Sequence, residues 1–374
     1  MSSNVPWFRN RRPPSGLIGA MLLIVVVEGV VSGYSLDVVR FEQWVWASAA
    51  RAAQHDAPGC DTLALGSSMV LMGVLPQSIE QQTGGRVANL AVMGGITESS
   101  YFLLKRALDA GANPSRVIVD FHPYFLTEDH WQTSRMWPFL LDTQDTLDLA
   151  WTARDAEFFG VMTVARALPT LRVRYRLRTA ILSAFQGTYQ SLRTENLETL
   201  AKLNRNQGAL PTPEDPSFQG VVGPHYGSML LTQPWRCRPI HAKYLRKFLA
   251  LTASKGIQVY WVIPPVAPNL QTWRDQRGLE VRYDQFVQAL QAKAPHLVVV
   301  DGRRLDYQNA AFLDASHLGN RGAIAFSADL ARCLDSERSS TGPRWLTLLR
   351  DQDHRVERFA EQDEVQNSRE ERRR

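Results

Sequence analysis

Residues 61–71 read Asp61-Thr62-Leu63-Ala64-Leu65-Gly66-Ser67-Ser68-Met69-Val70-Leu71. A short apolar run passes directly into Gly-Ser-Ser, and a second apolar segment follows. A continuous apolar run of this length suits a strand covered on both faces, the signature of a parallel sheet flanked by helices. Gly66 permits a tight turn, and the serines then stand at the head of a helix, at the carboxyl end of a strand. Ligands of open α/β sheets gather there, where backbone N–H groups and the helix dipole favour a developing negative charge. Taken alone, Gly-Ser-Ser after a strand is also an ordinary turn.

Outward from this segment the same rhythm repeats. Strands are expected at Asp61–Leu65, Val87–Val92, Arg116–Phe121, Ile257–Ile263 and Leu297–Asp301, with helices around 75–83, 98–111, 241–255, 280–293 and 321–334. Strand and helix alternating in this way predict an open α/β sheet. Residues 135–240 interrupt it. They read as a mainly helical insert (141–206) followed by a loop rich in proline and glycine (208–227). Within the insert Arg172, Arg174, Arg176 and Arg178 alternate with Val173, Tyr175 and Leu177, which is strand spacing, and on a helix would instead spread positive charge around much of the surface. A solvated basic face is the plain reading of these arginines, and contact with an anionic lipid or polymer is the alternative.

Charge separates the regions further. The 374 residues carry a formal charge of +5, with 44% hydrophobic and 21% charged residues, which excludes wholesale disorder and a multi-span membrane protein. Three units lie in the first 15 residues and five in residues 150–206. The tail 336–374 is neutral, leaving the α/β body mildly acidic. Nucleic acid is therefore not expected as a partner, since the mildly acidic body offers no basic surface set with base-stacking aromatics. The tail reads as mobile, with a short helix at 343–360. Three cysteines exclude a disulfide-built scaffold, and Cys60, Cys237 and Cys333 have no zinc spacing. Their pairing is not legible from the spacing.

Leu17–Tyr34 is long and apolar enough to span a bilayer, and Arg9, Arg11 and Arg12 precede it. The positive-inside rule then puts the N-terminus in the cytoplasm and the remainder outside, periplasmic in a Gram-negative cell. Trp7 and Phe8 on one flank, and Trp44 and Trp46 on the other, suit interfacial belts. Glu28 is the weak point of the span. A cleaved signal peptide ending near Ser32-Gly33 and a buried soluble helix are the rival readings.

Far along the chain stands Phe312-Leu313-Asp314-Ala315-Ser316-His317-Leu318-Gly319, before another helical run. A nucleophilic hydroxyl needs a base within hydrogen-bond reach, and that base needs a group to fix its tautomer. Asp314 and His317 share one loop after the last expected strand, and can reach the sheet edge where Ser67-Ser68 lies.

With these pieces placed, Gly66–Pro76 (GSSMVLMGVLP), Asn89–Gly95 (NLAVMGG) and Asp314–Ala323 (DASHLGNRGA) resemble the SGNH (GDSL-like) hydrolase superfamily. The resemblance covers residues 60–130 and 255–334. In kind it is closest to membrane-anchored bacterial members such as the O-acetyltransferases of exopolysaccharide and peptidoglycan and the lipoteichoic-acid D-alanylation protein. It implies a flavodoxin-like three-layer parallel sheet after one transmembrane helix, spanning residues 59–335. It also implies Ser68 as nucleophile, His317 as base and Asp314 as the acid orienting it. The N–H groups of Ser68 and Gly94 would be oxyanion donors, and Asn89 would support the loop after the second strand.

Two positions depart from the family pattern. Ser67 replaces the aspartate of Gly-Asp-Ser. The third block, usually Gly-x-Asn-Asp, is Asp120-Phe121-His122-Pro123-Tyr124, so the amide donor of the oxyanion hole is missing and His122 is its candidate substitute, a plain strand-end histidine being the other reading. The implied activity is acyl transfer on ester-linked groups, acetyl above all, of envelope glycans, resolved by water or by a glycan hydroxyl. It uses no metal or other cofactor, and as a transferase it requires a membrane-bound acyl-donor protein. The competing expectations are a catalytically silent glycan-binding or assembly subunit, and a scaffold whose working part is the helical insert.

Overall fold

A computed structural model describes residues 15–223, 235–336 and 344–348. Six strands form one all-parallel sheet in the order β2-β1-β3-β4-β5-β6: β1 Thr62–Leu65, β2 Val87–Asn89, β3 Arg116–Val119, β4 Gln258–Ile263, β5 Leu297–Asp301 and β6 Arg344–Thr347. The first five are those read from the sequence. Every residue of β1, β2 and β5 is buried, as continuous apolar runs require in a sheet covered on both faces. The order reverses between β1 and its neighbours β2 and β3, and that reversal opens a crevice beyond the carboxyl ends of β1 and β3.

Helices cover both faces. The helices of the described residues are α1 Ser15–Gly33, α2 Ser35–Val38, α3 Phe41–His55, α4 Ser68–Gly73, α5 Pro76–Thr83, α6 Thr97–Asp109, α7 Thr143–Ala153, α8 Ala156–Ala167, α9 Pro169–Phe185 and α10 Arg193–Arg205. After the insert come α11 Pro239–Ser254, α12 Pro268–Gln276, α13 Leu279–Gln291 and α14 Asn320–Ser336. α14 packs on α4 and α5, whereas α6 packs between α3 and α11. The core joins Trp46 of α3, Trp137 of the insert and Trp261 of β4, all fully buried. Trp46 meets Trp137 edge to face, with ring centres 5.1 Å apart, the geometry their quadrupoles favour.

Three expectations need correction, and the open reading of the arginine spacing is settled. The arginine alternation at 172–178 lies in α9, not a strand: no neighbouring strand accepts it, and at 100° per residue Val173, Leu177 and Ala180 form the inward face that packs on Val31 and Val38. The helix expected at 343–360 begins instead as β6, an edge strand pairing Val298 with Arg344 and Asp301 with Thr347; the remainder of that segment lies outside the described residues. The α/β body therefore runs past 335. It also starts before 59, because α3 contributes Val45, Trp46, Ala49 and Ala53 to the main core. The N-terminal arginines, Trp7 and Phe8 lie outside the described residues.

α1 is the one helix among the described residues long and apolar enough to cross a membrane, with 19 residues and a mean hydropathy of 2.2 over its best window. Almost all of it is exposed. It is a candidate membrane anchor or signal sequence. None of the three cysteines is in a disulfide, with Cys60 buried and Cys237 and Cys333 half-buried.

Candidate functional site

β1 ends at Leu65, and the chain turns through Gly66 into α4. Gly66 has φ +126°, and a side chain there would lie 1.9 Å from Asp120 Oδ1, so only glycine fits. Ser67 is the N-cap of α4, its Oγ accepting from the Met69 N–H at 3.2 Å. Ser68 is the first helical residue, and its N–H has no carbonyl one turn back within the helix. On the crevice side Ser68 Oγ lies 2.8 Å from His317 Nε2.

His317 comes from a turn closed by an antiparallel bridge between Phe312 and Leu318, with the Leu313 N–H donating to the His317 carbonyl. The Ala267 N–H, at the start of α12, donates to the Ala315 carbonyl and ties this turn to the end of β4. His317 Nδ1 meets Asp314 Oδ2 at 2.8 Å and Oδ1 at 3.0 Å. Asp314 Oδ1 also accepts the N–H groups of Ser316 and His317. Partial burial raises the Asp314 pKa, but the hydrogen bond and charge of His317, together with those two N–H groups, outweigh it. The carboxyl is held well below the usual carboxylate range. Serine, imidazole and carboxylate thus stand in line, the hydroxyl on one ring nitrogen and the carboxylate on the other.

Asn89 is the last residue of β2. Its Nδ2 donates to the Val70 and Val74 carbonyls and its Oδ1 accepts from the Ala91 N–H, which fixes the far end of α4 to β2. Gly94 has φ +63° and open space around it. The neighbouring backbone presses on the serine turn: the Val92 N–H donates to the Gly66 carbonyl, and a side chain at Gly95 would lie 2.0 Å from that oxygen. Trp46 Nε1 donates to the Met93 carbonyl and holds this loop from outside.

His122 lies at the end of β3. Its Nδ1 accepts from the Tyr124 N–H at 3.3 Å, which leaves Nε2 as the protonated nitrogen of the neutral ring. Burial, then the charges of Arg274 and His317, hold His122 well below the ordinary imidazole range. Its Nε2 is buried and has no hydrogen-bond partner among the described residues. Two clamps fix this loop: Tyr283 donates to the Phe121 carbonyl at 2.8 Å, and Trp235 Nε1 to the Pro123 carbonyl at 2.8 Å. Behind it Arg274 Nε lies 2.5 Å from Glu280 Oε1 as an ion pair, at an angle outside hydrogen-bond geometry.

Asp120 is a site residue that sequence reasoning left without a role. Its Oδ1 accepts the Ser67 N–H at 2.6 Å and its Oδ2 the Ser67 Oγ–H at 2.7 Å. Burial pushes its pKa up to about 6, against the pull of those bonds and of His317. A carboxylate from β3 therefore sits against the serine that stands where an aspartate was expected. The available signal was an acid ending an apolar run on the strand beside β1. Glu214 of the insert was missed as well: its Oε1 accepts the Arg321 N–H at 2.6 Å in the first turn of α14, just after the His317 turn.

The matching family model is described as Protein of unknown function (DUF1574), and it covers residues 62–322. The chain belongs to this family. The match opens on the first residue of β1 and closes in the first turn of α14, so it contains Ser68, Asp120, His122, Asp314 and His317 together with the whole insert. None of the curated proteins matches the chain. Among the described residues, no group of three or more His, Cys, Asp or Glu side chains is placed to hold a metal ion.

Proposed function

We propose that this DUF1574 protein is a membrane-anchored, extracytoplasmic serine acyl hydrolase or O-acyltransferase of the SGNH kind, acting on ester-linked acyl groups, acetyl above all, of envelope glycans. The observation that carries the reading is the Ser68–His317–Asp314 relay, with contacts of 2.8 Å at each end of the imidazole. Its place beyond β1, at the switch point of the strand order, supports it.

In this reading His317 Nε2 takes the Ser68 proton as Oγ bonds to the acyl carbon. The oxyanion rests on the N–H groups of Ser68 and Gly94 and on the protonated Nε2 of His122. As the ester C–O bond breaks, the imidazolium returns its proton to the leaving alkoxide. Water or a sugar hydroxyl then attacks the acyl-serine, losing its proton to His317 and regenerating Ser68. Asp314 holds the imidazole and stabilises its cationic form. A transferase also needs an activated acyl donor, delivered by a membrane-bound partner protein.

The experiment is labelling of the full chain with a fluorophosphonate probe, with release of acetate from simple esters measured in parallel. Wild type should label at Ser68, and Ser68→Ala and His317→Ala should not. A folded wild type that neither labels nor releases acetate would overturn the reading. The second reading, a silent glycan-binding or assembly subunit, is favoured by the replacement of Gly-x-Asn-Asp with Asp120-Phe121-His122-Pro123, and it predicts polymer binding without labelling.

A further inference from the structure

Glu28 is the one acidic residue in the apolar helix α1. Its carboxylate accepts the Thr170 N–H at 2.8 Å and also the Thr170 Oγ–H. Thr170 is in the first turn of α9, where unpaired N–H groups and the helix dipole favour an anion. The residue that weakens α1 as a membrane span is therefore the one that docks α9 against it. Val31, Val38 and Val39 extend the contact by packing on Val173, Leu177 and Ala180. Glu28 is five residues from the end of α1, which places the start of α9 about 7–8 Å below that end. That depth matches the boundary between headgroups and acyl chains.

The outward side of α9 suits that depth. Leu171, Tyr175, Ile181, Leu182 and Phe185 are all exposed, Phe185 at 88%. At 100° per residue they share an arc of about 120°, separate from the arc of the packed valine, leucine and alanine. Arg174 and Arg178 fall in the same arc, and α9 contains four arginines and no acid. Arg174 stacks on the Tyr175 ring at 4.8 Å. Large apolar side chains interleaved with arginine and tyrosine form the pattern of a helix lying in a membrane surface, its stems in hydrocarbon and its charges among phosphates.

We infer that α9 lies in the interface of the bilayer that α1 spans, on the leaflet facing the α/β body, with its outward face against anionic lipid. The inference rests on the reading of α1 as a retained anchor. A helix so placed fixes the height of the domain over the membrane, since Asn196 Nδ2 of α10 donates to the Leu36 and Val39 carbonyls of the same joint. Each arginine near an anionic surface is worth about fivefold in partition, so the lipid partner is a phosphatidylglycerol-type headgroup and not a neutral one.

The test uses the full chain in nanodiscs of phosphatidylcholine with phosphatidylglycerol. Cys237 and Cys333 are replaced by serine and a nitroxide is attached through Ile181→Cys or Phe185→Cys, with Gln285→Cys on α13 as the solvent reference. Labels on α9 should collide several-fold more with dissolved oxygen than with an aqueous nickel chelate, relative to the reference, and Phe185→Cys and Ile181→Cys should agree. Access to nickel equal to the reference would overturn the inference. Low access to both quenchers would also overturn it, because it means a protein or polymer covers the face. Intact mass reads the anchor separately: loss of residues 1–34 sinks both readings, whereas a retained α1 with water-exposed labels sinks only the placement of α9.

Discussion

His317 and His241 each contact a carboxylate and a hydroxyl at hydrogen-bond distance. His317 has Asp314 at 2.8 Å, with Ser316 Oγ beside it at 3.2 Å on the same nitrogen, and Ser68 at 2.8 Å on the other; His241 has Glu98 at 2.9 Å and Thr97 at 3.2 Å. The parts are alike and the wiring is not. Around His317 the two partners sit on opposite ring nitrogens, so a proton arriving at one is balanced by a charge at the other. Around His241 both crowd Nδ1, Thr97 Oγ also donating to Glu98 Oε2, and Nε2 is spent on the Glu128 carbonyl. His241 and Glu98 are fully buried, whereas the Asp314 side chain is 40% exposed. The first arrangement can relay a proton to something that enters. The second ties α6 to α11 and to the turn at 128.

The sharpest way to break this comparison is to remove one member of each set. Ser68→Ala or His317→Ala should lower acetyl-ester turnover by about 10³-fold or more, leaving only what the oxyanion donors supply. Stability should change by less than about 1 kcal/mol, since both side chains line the crevice. His241→Ala should do the reverse. It strands the Glu98 charge in the core and should cost about 3–5 kcal/mol in urea denaturation, with Ser68 still labelled at temperatures where the variant is folded. Loss of labelling in folded His241→Ala would show that the buried pair serves the site directly.

What the sequence made legible in this comparison was uneven. The five apolar strands and the Asp-x-x-His loop stood out because burial on both faces and a loop pair of titratable groups each leave a local mark. β6 did not, because Arg344-Trp345-Leu346-Thr347 has a charged start, three half-buried residues and an exposed one, as an edge strand permits. The arginine alternation stayed open between strand and helix for the opposite reason: period two is a strand signal only where a neighbour accepts it, and Val173, Leu177 and Ala180 supply a helical face beneath it. Asp120 and Glu98 were illegible as partners. Each acquires meaning from a residue distant in sequence, Ser67 and His241, and no local pattern encodes that distance.

A smaller effect tests whether His122 belongs with the open site or the buried one. Its unpartnered Nε2–H resembles an oxyanion donor, yet its Nδ1 contact with Tyr124 is structural. His122→Phe should lower turnover by about 10²–10³-fold, the usual worth of one such donor, with substrate KM little changed. His122→Asn should recover part of that loss by returning an amide to the place where the SGNH hydrolases that the sequence resembles carry one. Equal, minor losses in both variants would return His122 to a purely structural role.

Asp120 lies between the two cases, since it is as buried as Glu98 and touches the serine turn. Its folded pKa of about 6 stands above the ordinary 3.8, so between these values the folded state holds more protons than the unfolded one. Stability is therefore full below about 3.8 and is lost as the pH rises through about 6, a loss of about 3 kcal/mol. Subtracting the Asp120→Asn curve isolates this from the other titrating groups. The difference in unfolding free energy between wild type and Asp120→Asn should shift by most of that amount, about 2.4 kcal/mol, against wild type, from pH 4 to pH 7.5. A flat difference would mean that Asp120 ionises normally. If the shift appears, the reason for keeping a carboxylate there lies in the ionised form, which accepts both the N–H and the Oγ–H of Ser67. An asparagine offers one acceptor to those two donors, so the variant that gains stability at neutral pH should hold the Ser68 turn less firmly and label more slowly.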